Sequence, residues 1–388
     1  MKVNVGVMYG GNSTEHEISI ISAVQAMNNI DKDKYEIVPI YLTKDSKMYT
    51  SDNLLKMDIY KDLANVKKSC AEVIFTKKGN EFVLIKNKFP YNVIKKIDLV
   101  LPIMHGYNTE DGSIAGFLEV LGVPYCESDI YASVIGQDKV LQKAVLKENN
   151  IPVVDYEYFY ESDYLKDANA IIKKISRLGF PVIVKPSRQG SSVGISIAKN
   201  KKELENAIDE ALSYDEKILV ETVVEDLCEL NCSVVGDNSN YEASLIEEVY
   251  SSDEILSYKD KYMSGGGKTP SKGMASTGRK VPADIPKEMT EKIQMLSINA
   301  CKALNTNGVV RIDYLLDRKT NNVYLNELNI VPGSLAFYLW TPKDVNYKEL
   351  LNRIISAGIK RYQNKSKKLS SFETNVLANF NGTKGVKK

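Results

Sequence analysis

The stretch Lys185-Pro186-Ser187-Arg188-Gln189-Gly190-Ser191-Ser192-Val193-Gly194 decides the fold of this chain. It follows an apolar run over residues 180–184 and precedes another over residues 195–198, and both runs predict strands. Between two strands, glycines let the backbone approach a ligand closely, while free amides and hydroxyls bind an anion. Taken alone, the segment is equally consistent with an ordinary hairpin loop.

The segments after this loop predict a second α/β unit with antiparallel strand pairs. The predicted elements are a helix over 201–212, a strand over 217–221, a hairpin of 232–236 with 241–248, a helix over 286–304, and strands over 308–316 and 322–329. Residues 250–277 are rich in Gly, Ser and Lys, which predicts a lid loop. The lid sequence Gly265-Gly266-Gly267-Lys268-Thr269 ends like a Walker phosphate loop, but Tyr262 stands where that motif requires its first glycine.

Upstream of the loop, the first hundred residues predict an α/β layer with a parallel sheet. The predicted elements are a strand over 3–8, a helix capped by Ser13 or Thr14 and running through residue 26, strands over 35–42 and 98–103, and a hairpin turn at Gly79-Asn80. Residues 129–149 read as one helix, followed by a strand over 154–159. Ligands sit beyond the carboxyl ends of parallel strands, which is where the polar clusters 10–17 and 105–112 fall.

Length and pattern together divide the chain into three domains and a tail. The 388 residues are assigned to an N-terminal α/β domain (1–104), a central domain (105–184), a C-terminal domain (185–361) with the lid at 250–277, and a basic tail (362–388). The fold class is therefore α/β, in part α+β.

Composition excludes whole classes of mechanism. His16 and His105 are the only histidines, so zinc sites built from several histidines and Ser-His-Asp or Cys-His catalysis have almost no material. Five scattered cysteines favour neither a disulfide framework nor a zinc site, and a reducing cytoplasm fits them best. We expect no signal peptide and no membrane span, since no apolar run reaches about 18 residues. The net charge of +1, without a basic patch interleaved with aromatics outside the tail, gives no indication of nucleic-acid binding.

Two predicted strands carry a candidate cation site. Strand periodicity puts Arg311 and Asp313 on one face of the first strand, and Glu327 and Asn329 on one face of the second. Three oxygen ligands and a guanidinium would suit Mg²⁺ held together with a triphosphate. Solvent-facing positions on half-exposed strands explain the same alternation.

Two lysines complete the pattern. Lys185 ends an apolar strand and Lys139 follows Asp138 at a helix start, where a buried ammonium would need an anion nearby. A surface position is the default for any single lysine, so the pattern has weight only as a combination.

In that combination the chain resembles the D-alanine–D-alanine ligases of the ATP-grasp superfamily, from about residue 3 to about residue 361. Seven motifs in family order carry the resemblance: Gly-Gly-Asn-Ser-Thr-Glu-His-Glu-Ile-Ser (10–19), His-Gly with Glu-Asp-Gly (105–112), Asp-Lys (138–139), Val-Lys-Pro-Ser-Arg-Gln-Gly-Ser-Ser-Val-Gly (184–194), Lys-Tyr (261–262), Arg-Ile-Asp (311–313), and Asn-Glu-Leu-Asn with Pro-Gly (326–333). The resemblance implies an ATP-grasp fold preceded by an N-terminal α/β domain.

The resemblance also implies the reaction and its residues. ATP would phosphorylate the carboxylate of a first D-alanine, and the amine of a second would attack the acyl phosphate, in the making of a peptidoglycan precursor. Such chemistry needs charge neutralisation and positioning rather than a protein nucleophile, so the lack of histidines costs nothing. Implied ATP-binding residues are Lys139, Lys185, Ser191, Glu221, Val223, Val224 and Glu229, with two Mg²⁺ or Mn²⁺ ions on Asp313, Glu327 and Asn329.

Other roles follow from the same resemblance. Glu15 would bind the ammonium of the first amino acid, with Ser191 and Tyr262 as its hydrogen-bonding partners. Arg311 and the amide of Gly333 would stabilise the tetrahedral oxyanion, and Lys261 would touch the transferred phosphoryl group. By the same resemblance, Tyr262 favours an amine acceptor over a hydroxy acid. Members are commonly homodimers.

Three departures from the family pattern fall on the acceptor and lid side. Ser334 and Leu335, matching an acceptor-binding pair, follow Pro332-Gly333 at once instead of several residues later. Thr109 and Ala115 replace a Gly and a Gln of the family, and the lid holds an unusual glycine-rich stretch. The acceptor is therefore left open between D-alanine, D-serine and another amino acid or amine. A non-catalytic nucleotide-binding relative is a third reading, which the retained Arg311 and metal ligands disfavour, and nothing resembles the carrier domain of a biotin-dependent carboxylase.

Overall fold

The computed structural model describes residues 2–250 and 278–369 of the chain. The strands of the described part are β1 Val3–Gly10, β2 Tyr35–Leu42, β3 Met48–Thr50, β4 Ala71–Lys78, β5 Glu81–Lys86, β6 Val93–Ile97, β7 Leu99–Ile103, β8 Tyr156–Tyr160, β9 Val182–Pro186, β10 Ser196–Ala198, β11 Lys217–Thr222, β12 Leu227–Asp237, β13 Asn240–Tyr250, β14 Gly278–Lys280, β15 Gly308–Asp317 and β16 Asn322–Asn329. Its α-helices are α1 His16–Asn29, α2 Leu63–Ser69, α3 Ser113–Leu121, α4 Ile130–Gln137, α5 Lys139–Glu148, α6 Glu161–Lys166, α7 Ala168–Ile175, α8 Lys201–Leu212, α9 Lys287–Leu304 and α10 Tyr347–Ser366.

The N-terminal sheet is mixed, with seven strands in the order β6-β5-β4-β3-β2-β1-β7. β1 pairs in parallel with β2 and β7, which confirms the predicted parallel part. The strands β3 to β6, however, add to the edge as antiparallel pairs. Tight returns such as Gly79-Asn80, where Gly79 takes a positive φ, leave no room for the crossovers that parallel pairing needs. The carboxyl end of β1 still opens into the polar cluster, as predicted.

The prediction that Ser13 or Thr14 caps α1 is wrong. Glu15 occupies the N-cap position without a side-chain capping bond. Ser13 Oγ instead donates to the carbonyl oxygen of His105 at 2.7 Å and accepts from the amide of Glu15 at 3.0 Å. The hydroxyl therefore joins the loops after β1 and β7, and the Glu15 carboxylate is not used as a helix cap.

The predicted single helix over residues 129–149 is two helices, α4 and α5, which meet at Asp138. Its carboxylate accepts from the amides of Val140 and Leu141 at 3.0 and 3.1 Å, so it caps α5 in mid-pattern. Lys217 binds the same carboxylate at 2.8 Å. Apolar periodicity continues across the break, which is why the sequence pattern does not reveal it.

Two antiparallel sheets form the rest of the described chain, and this confirms the predicted pairing. One has the order β10-β9-β11-β8 and the other β14-β13-β12-β15-β16. They meet where the Lys185 ammonium of β9 lies 3.1 Å from Asn326 Oδ1 of β16. Trp340, the only tryptophan, is fully buried beside the second sheet and donates to Ser233 Oγ.

Three smaller observations complete the fold. α10 continues to Ser366, so its last five residues lie within the predicted tail. The five cysteines all lie in the described residues and are free. Across those residues, none of the helices combines the length and apolarity required to span a membrane.

Candidate active site

Arg311, Asp313, Glu327 and Asn329 lie together on the paired strands β15 and β16. Their register sets Asp313 opposite Glu327 and Arg311 opposite Asn329, so strand periodicity brings the four side chains to one face. The Arg311 guanidinium binds Asp313 through two bonds of 2.6 and 2.7 Å, and Asn329 Nδ2 donates to Asp313 at 3.2 Å. Burial lowers the pKa of Arg311, but Asp313 raises it by more, so the guanidinium stays charged.

The donor set of these strands fits a hard divalent cation. Two carboxylates face each other across the strand pair, and the Asn329 amide oxygen lies one register position away. Carboxylate and amide oxygens suit Mg²⁺ or Mn²⁺, which take few protein ligands when phosphates supply others. Among the described residues, no group of three or more His, Cys, Asp or Glu side chains is arranged so that it could hold a metal ion by itself.

The two lysines predicted to bind phosphate reach the same place. Lys139 Nζ lies 3.5 Å from Glu327 and donates to the carbonyl oxygen of Gln189 at 2.7 Å. Lys185 Nζ reaches the carboxylate of Glu221 on β11 at 2.5 Å, besides its bond to Asn326. Both lysines are buried. Lysine side chains are buried only when anionic or polar groups pair with them.

A third lysine, Lys143, was missed at the sequence level. It lies on α5 one turn after Lys139, its side chain is 1% exposed, and its ammonium is 2.5 Å from Glu221. Burial raises the pKa of Glu221, but the charges of Lys143 and Lys185 together lower it to about 2. The four-residue spacing from Lys139 was the available signal, since it puts both lysines on one helix face.

Glu15 lies against the loop that joins β9 and β10. Ser191 Oγ donates to its carboxylate, and an added Cβ on Gly190 would come within 2.8 Å of Glu15 Oε2. The backbone there is special, because Ser191 and Ser192 both take positive φ values. The structure therefore brings together Glu15 and Ser191, which are 176 residues apart in the sequence.

A second acidic side chain, Glu110, lies close to Glu15. It accepts a hydrogen bond from the amide of Gly106 at 2.8 Å. Burial, with the nearby charge of Glu15, raises the pKa of Glu110 well above its usual range.

The segment after β16 is tied to α1 and to His105. The imidazole of His105 is within 2.8 Å of the Val331 carbonyl oxygen and 3.0 Å of Ser22 Oγ, and burial lowers its pKa to about 4. Gly333 lies two residues after Val331, and the three residues that follow it take positive φ values. Ser334 donates its hydroxyl to Gln25 on α1, and Leu335 is 3% exposed in the core. These contacts hold the candidate acceptor residues, and the assignment of that role stays a prediction.

Strands β12 and β13 extend the polar face beyond the predicted set. Asn231 pairs with Asp313 on one side and with Glu247 on the other, and it donates to the Glu247 carboxylate at 2.9 Å. The guanidinium of Arg279 lies 3.3 Å from Glu247 and 5.1 Å from the Tyr338 ring centre. Single polar residues in strands gave no sequence signal for this row.

The remaining predicted residues are distributed as follows. Glu229 lies on β12 two positions before Asn231, hence on the same face. Val223 and Val224 follow directly after β11. Lys261 and Tyr262, with the lid and the last part of the basic tail, lie outside the described residues.

Comparison with known proteins identifies the relatives of this chain. Residues 4–128 match the family model "D-ala D-ala ligase N-terminus", and residues 145–356 match "D-ala D-ala ligase C-terminus". The D-alanine–D-alanine ligase of Thermosipho africanus is 38% identical over 378 residues, which cover 97% of this chain and 98% of that protein. That of Clostridium acetobutylicum is 35% identical over 370 residues, covering 93% and 99%.

Solved structures give the same answer for the fold. The D-alanine–D-alanine ligase of Coxiella burnetii has a TM-score of 0.78 at 26% identity, covering 94% of this chain and 96% of that one. The D-Ala:D-Ser ligase VanG of Enterococcus faecalis has a TM-score of 0.77 at 27% identity, covering 92% and 100%. The Bacillus anthracis D-alanine–D-alanine ligase, solved with ATP, has a TM-score of 0.66 at 25% identity, covering 94% and 99%. Both family models, the near full-length identity and the arrangement of the site agree that this chain is a member of the D-alanine–D-alanine ligase family, with the ATP-grasp fold.

Proposed function

We propose that this protein joins two D-alanine molecules at the expense of ATP, releasing ADP and phosphate, and so makes a peptidoglycan precursor. The observation that carries the proposal is the position of the Lys185–Gly194 loop. Its Gln189 carbonyl accepts from Lys139, beside Glu327, while the next residues, Gly190 and Ser191, contact Glu15. One loop thus connects a lysine and carboxylate cluster suited to a triphosphate with a carboxylate suited to an amino acid.

In this proposal each side chain has a task of charge or position. Lys139 and Lys185 neutralise phosphate oxygens, and Glu15 binds the ammonium of the first D-alanine through charge-assisted hydrogen bonds. Ser191 holds Glu15 in place. Val223, Val224, Glu221 and Glu229 line the nucleoside side. Arg311, fixed by Asp313, and the Gly333 amide donate to the oxyanion that forms when the second amine attacks the activated carboxylate.

Asp313, Glu327 and Asn329 would hold the divalent ions, two Mg²⁺ or Mn²⁺. Bound there, they supply neutralisation of the charge on the β- and γ-phosphates. Asn329 Nδ2 already donates to Asp313, so its Oδ1 is the atom available as a ligand. Lys261 and Tyr262 join this set from the lid as sequence-based proposals.

The acceptor has a second candidate, D-serine. The structural likeness to a D-Ala:D-Ser ligase favours it, as does the shortened segment that carries Ser334 and Leu335. The curated relatives at 34–38% identity are named for D-alanine, which favours D-alanine as the main substrate. Because the Ser334 hydroxyl donates to Gln25, replacing Gln25 is expected to change acceptor preference if Ser334 contacts the acceptor.

An assay of ADP release tests the function. Purified protein with ATP and Mg²⁺ is given D-alanine alone, then D-alanine with each of D-serine, D-lactate, glycine and L-alanine, and the products are identified by mass spectrometry. We expect D-alanyl-D-alanine as the main product and no D-lactate ester. Absence of ADP release with every amino acid would overturn the ligase proposal.

Assembly and location complete the proposal. We infer a cytoplasmic homodimer, on the basis of the family resemblance and the five free cysteines. Light scattering coupled to size-exclusion chromatography tests the dimer, and a mass near the 43.4 kDa of one chain would contradict it.

A further inference from the structure

Lys143 is a buried lysine that contacts Glu221, one of the residues proposed for the nucleotide site. Its ammonium is 2.5 Å from Glu221 Oε1, and Lys185 lies 2.5 Å from Oε2 of the same carboxylate. Two ammonium groups therefore flank one carboxylate. Burial lowers the pKa of Lys143 and the charge of Lys185 lowers it further, whereas Glu221 and, more weakly, Glu327 favour its charged form. Desolvation of an ammonium is costly, so a lysine is buried only where its charge is paired.

The two lysines of this triad are held differently. Lys143 is 1% exposed and also donates to the backbone carbonyl of Asn326 at 3.3 Å, so it is bound between a helix and a strand. Lys185 is 8% exposed, and its other partner is the side-chain oxygen of Asn326 at 3.1 Å. Lys143 is thus fixed by main chain and burial, whereas Lys185 borders the open side of the cluster.

The charge balance decides the roles. With Lys143 present, the triad carries a net charge of +1, and this surplus is available to a phosphate. Without Lys143, the charge of Lys185 is fully compensated by a buried Glu221, and drawing Lys185 towards a phosphate would leave that carboxylate unpaired. An unpaired buried charge is among the costliest features in a folded protein.

We propose that Lys143 is a positioning residue for the nucleotide: it acts as the permanent counter-ion of Glu221, so that Lys185 keeps its positive charge for the phosphates of ATP. The proposal rests on the proposed function, and it adds a residue to the nucleotide side of that site. Lys143 itself touches neither phosphate nor amino acid.

The test compares four variants by titration with a non-hydrolysable ATP analogue and Mg²⁺, followed by steady-state kinetics. Lys143→Met is expected to weaken nucleotide binding roughly ten- to hundredfold, the value of a charge-assisted bond, while the KM for D-alanine stays within about twofold. Lys143→Arg, which keeps the charge, should stay within about threefold of the wild type. Lys147→Met is the matched control, because Lys147 is exposed one turn further along α5 and its loss should change nothing.

The double variant Lys143→Met with Glu221→Gln separates charge balance from packing. Neutralising the carboxylate frees Lys185 again, so the double variant should bind the analogue at least about fivefold more tightly than Lys143→Met alone. If Lys143 only packs α5 against the sheets, the second change will not restore binding, and the proposal fails. Unchanged binding in Lys143→Met would overturn it as well. If Lys143→Met does not fold, the double variant, whose triad keeps the net charge of +1, and Lys143→Arg still give the comparison with wild type.

Binding is measured without turnover, so the two proposals fail separately. A wild-type chain that binds the analogue but forms no dipeptide would refute the proposed function and leave the Lys143 comparison intact. Normal ligation by the wild type, together with unaffected analogue binding in Lys143→Met, would support the proposed function and refute the role of Lys143.

Discussion

Single atoms decide the amino-acid side of this site, and Gly190 is the clearest case. Its lack of a side chain lets the loop after β9 lie directly against the Glu15 carboxylate. Ser191 donates a hydrogen bond to the same carboxylate, so the Glu15 side chain cannot move far without breaking that bond. A glycine here is a requirement of close approach.

Replacing Gly190 by Ala should therefore reduce activity strongly. The new Cβ would meet Glu15 Oε2 at 2.8 Å and push the carboxylate off its position. We expect kcat/KM for D-alanine to fall by about a hundredfold, as misplacement of a positioning group does, while thermal stability changes little. Gly116→Ala is the control, because its Cβ would meet only Ile130, at 3.9 Å. Equal activity of the two variants would show that Glu15 is not constrained by Gly190.

Glu327 tests the cation site at the same scale. Glu327→Gln keeps the shape of the side chain but removes one of the two facing carboxylates. The variant should need about tenfold more Mg²⁺ for half-maximal activity, as expected when one charged ligand is lost. A Mg²⁺ titration of ADP release measures this, with the exposed Glu36→Gln as control. An unshifted Mg²⁺ curve would rule Glu327 out as a ligand.

At the scale of elements, the junction between α1 and the segment after β16 depends on His105. A sequence reading could see His105 beside a polar cluster, but could not see that its ring joins Ser22 to Val331. This bridge fixes the backbone that leads into Gly333. The hydrogen bond between the His105 ring and the Val331 carbonyl joins residues 226 positions apart, and no local sequence pattern encodes such a contact.

The pKa of His105 predicts a pH effect on stability. Burial lowers it from 6.5 to about 4, so between these values the unfolded chain binds the proton and the folded chain does not. The free energy of unfolding is therefore unaffected by His105 above pH 6.5. As the pH falls from 6.5 towards 4, protonation of the unfolded chain lowers this free energy by up to about 3 kcal/mol.

Urea unfolding at pH 7 and pH 4.5 measures the effect. The variant His105→Gln should be less stable at pH 7 but should lose less stability on acidification than the wild type. The stability lost between pH 7 and pH 4.5 is compared between the two proteins. Their difference isolates His105, since they share all other titrating groups. An equal loss of stability in both proteins would show that His105 does not titrate with a lowered pKa in the folded chain.

The whole molecule should respond to nucleotide as one linked system. The residues proposed to bind phosphate come from separate parts of the chain, with Lys139 on α5 and Lys185 on β9. Binding to the folded state alone adds about 2.7 kcal/mol at a ligand concentration of 100 times Kd. We expect the Tm to rise by about 3 °C with the non-hydrolysable ATP analogue and Mg²⁺.

Differential scanning calorimetry measures this shift. Lys185→Met should lose most of it, while D-alanine alone should give the wild type only a small one. A full shift in Lys185→Met would show that nucleotide binds elsewhere or without this lysine.

Much of the fold was predictable from the sequence because its signals are local. Hydrophobic periodicity gave β2, α8 and β16 at their observed bounds, and alternation on β15 and β16 predicted which polar side chains share a face. The motifs were likewise sufficient to identify the family. The errors lie where a pattern is ambiguous: the cap of α1, the break at Asp138 and the antiparallel strands β3 to β6.

Only the tertiary structure decided which charges meet. The sequence supplied Lys139, Lys185, Glu221 and the strand-borne acids as separate residues, each with a surface position as its ordinary explanation. Packing of α5 against two sheets put Lys143 beside Glu221 and removed both from water, which is what turns an unremarked lysine into a counter-ion. Local sequence sets secondary structure through short-range sterics and periodicity, whereas electrostatic partnership depends on distance and burial, and these exist only once remote segments are folded together.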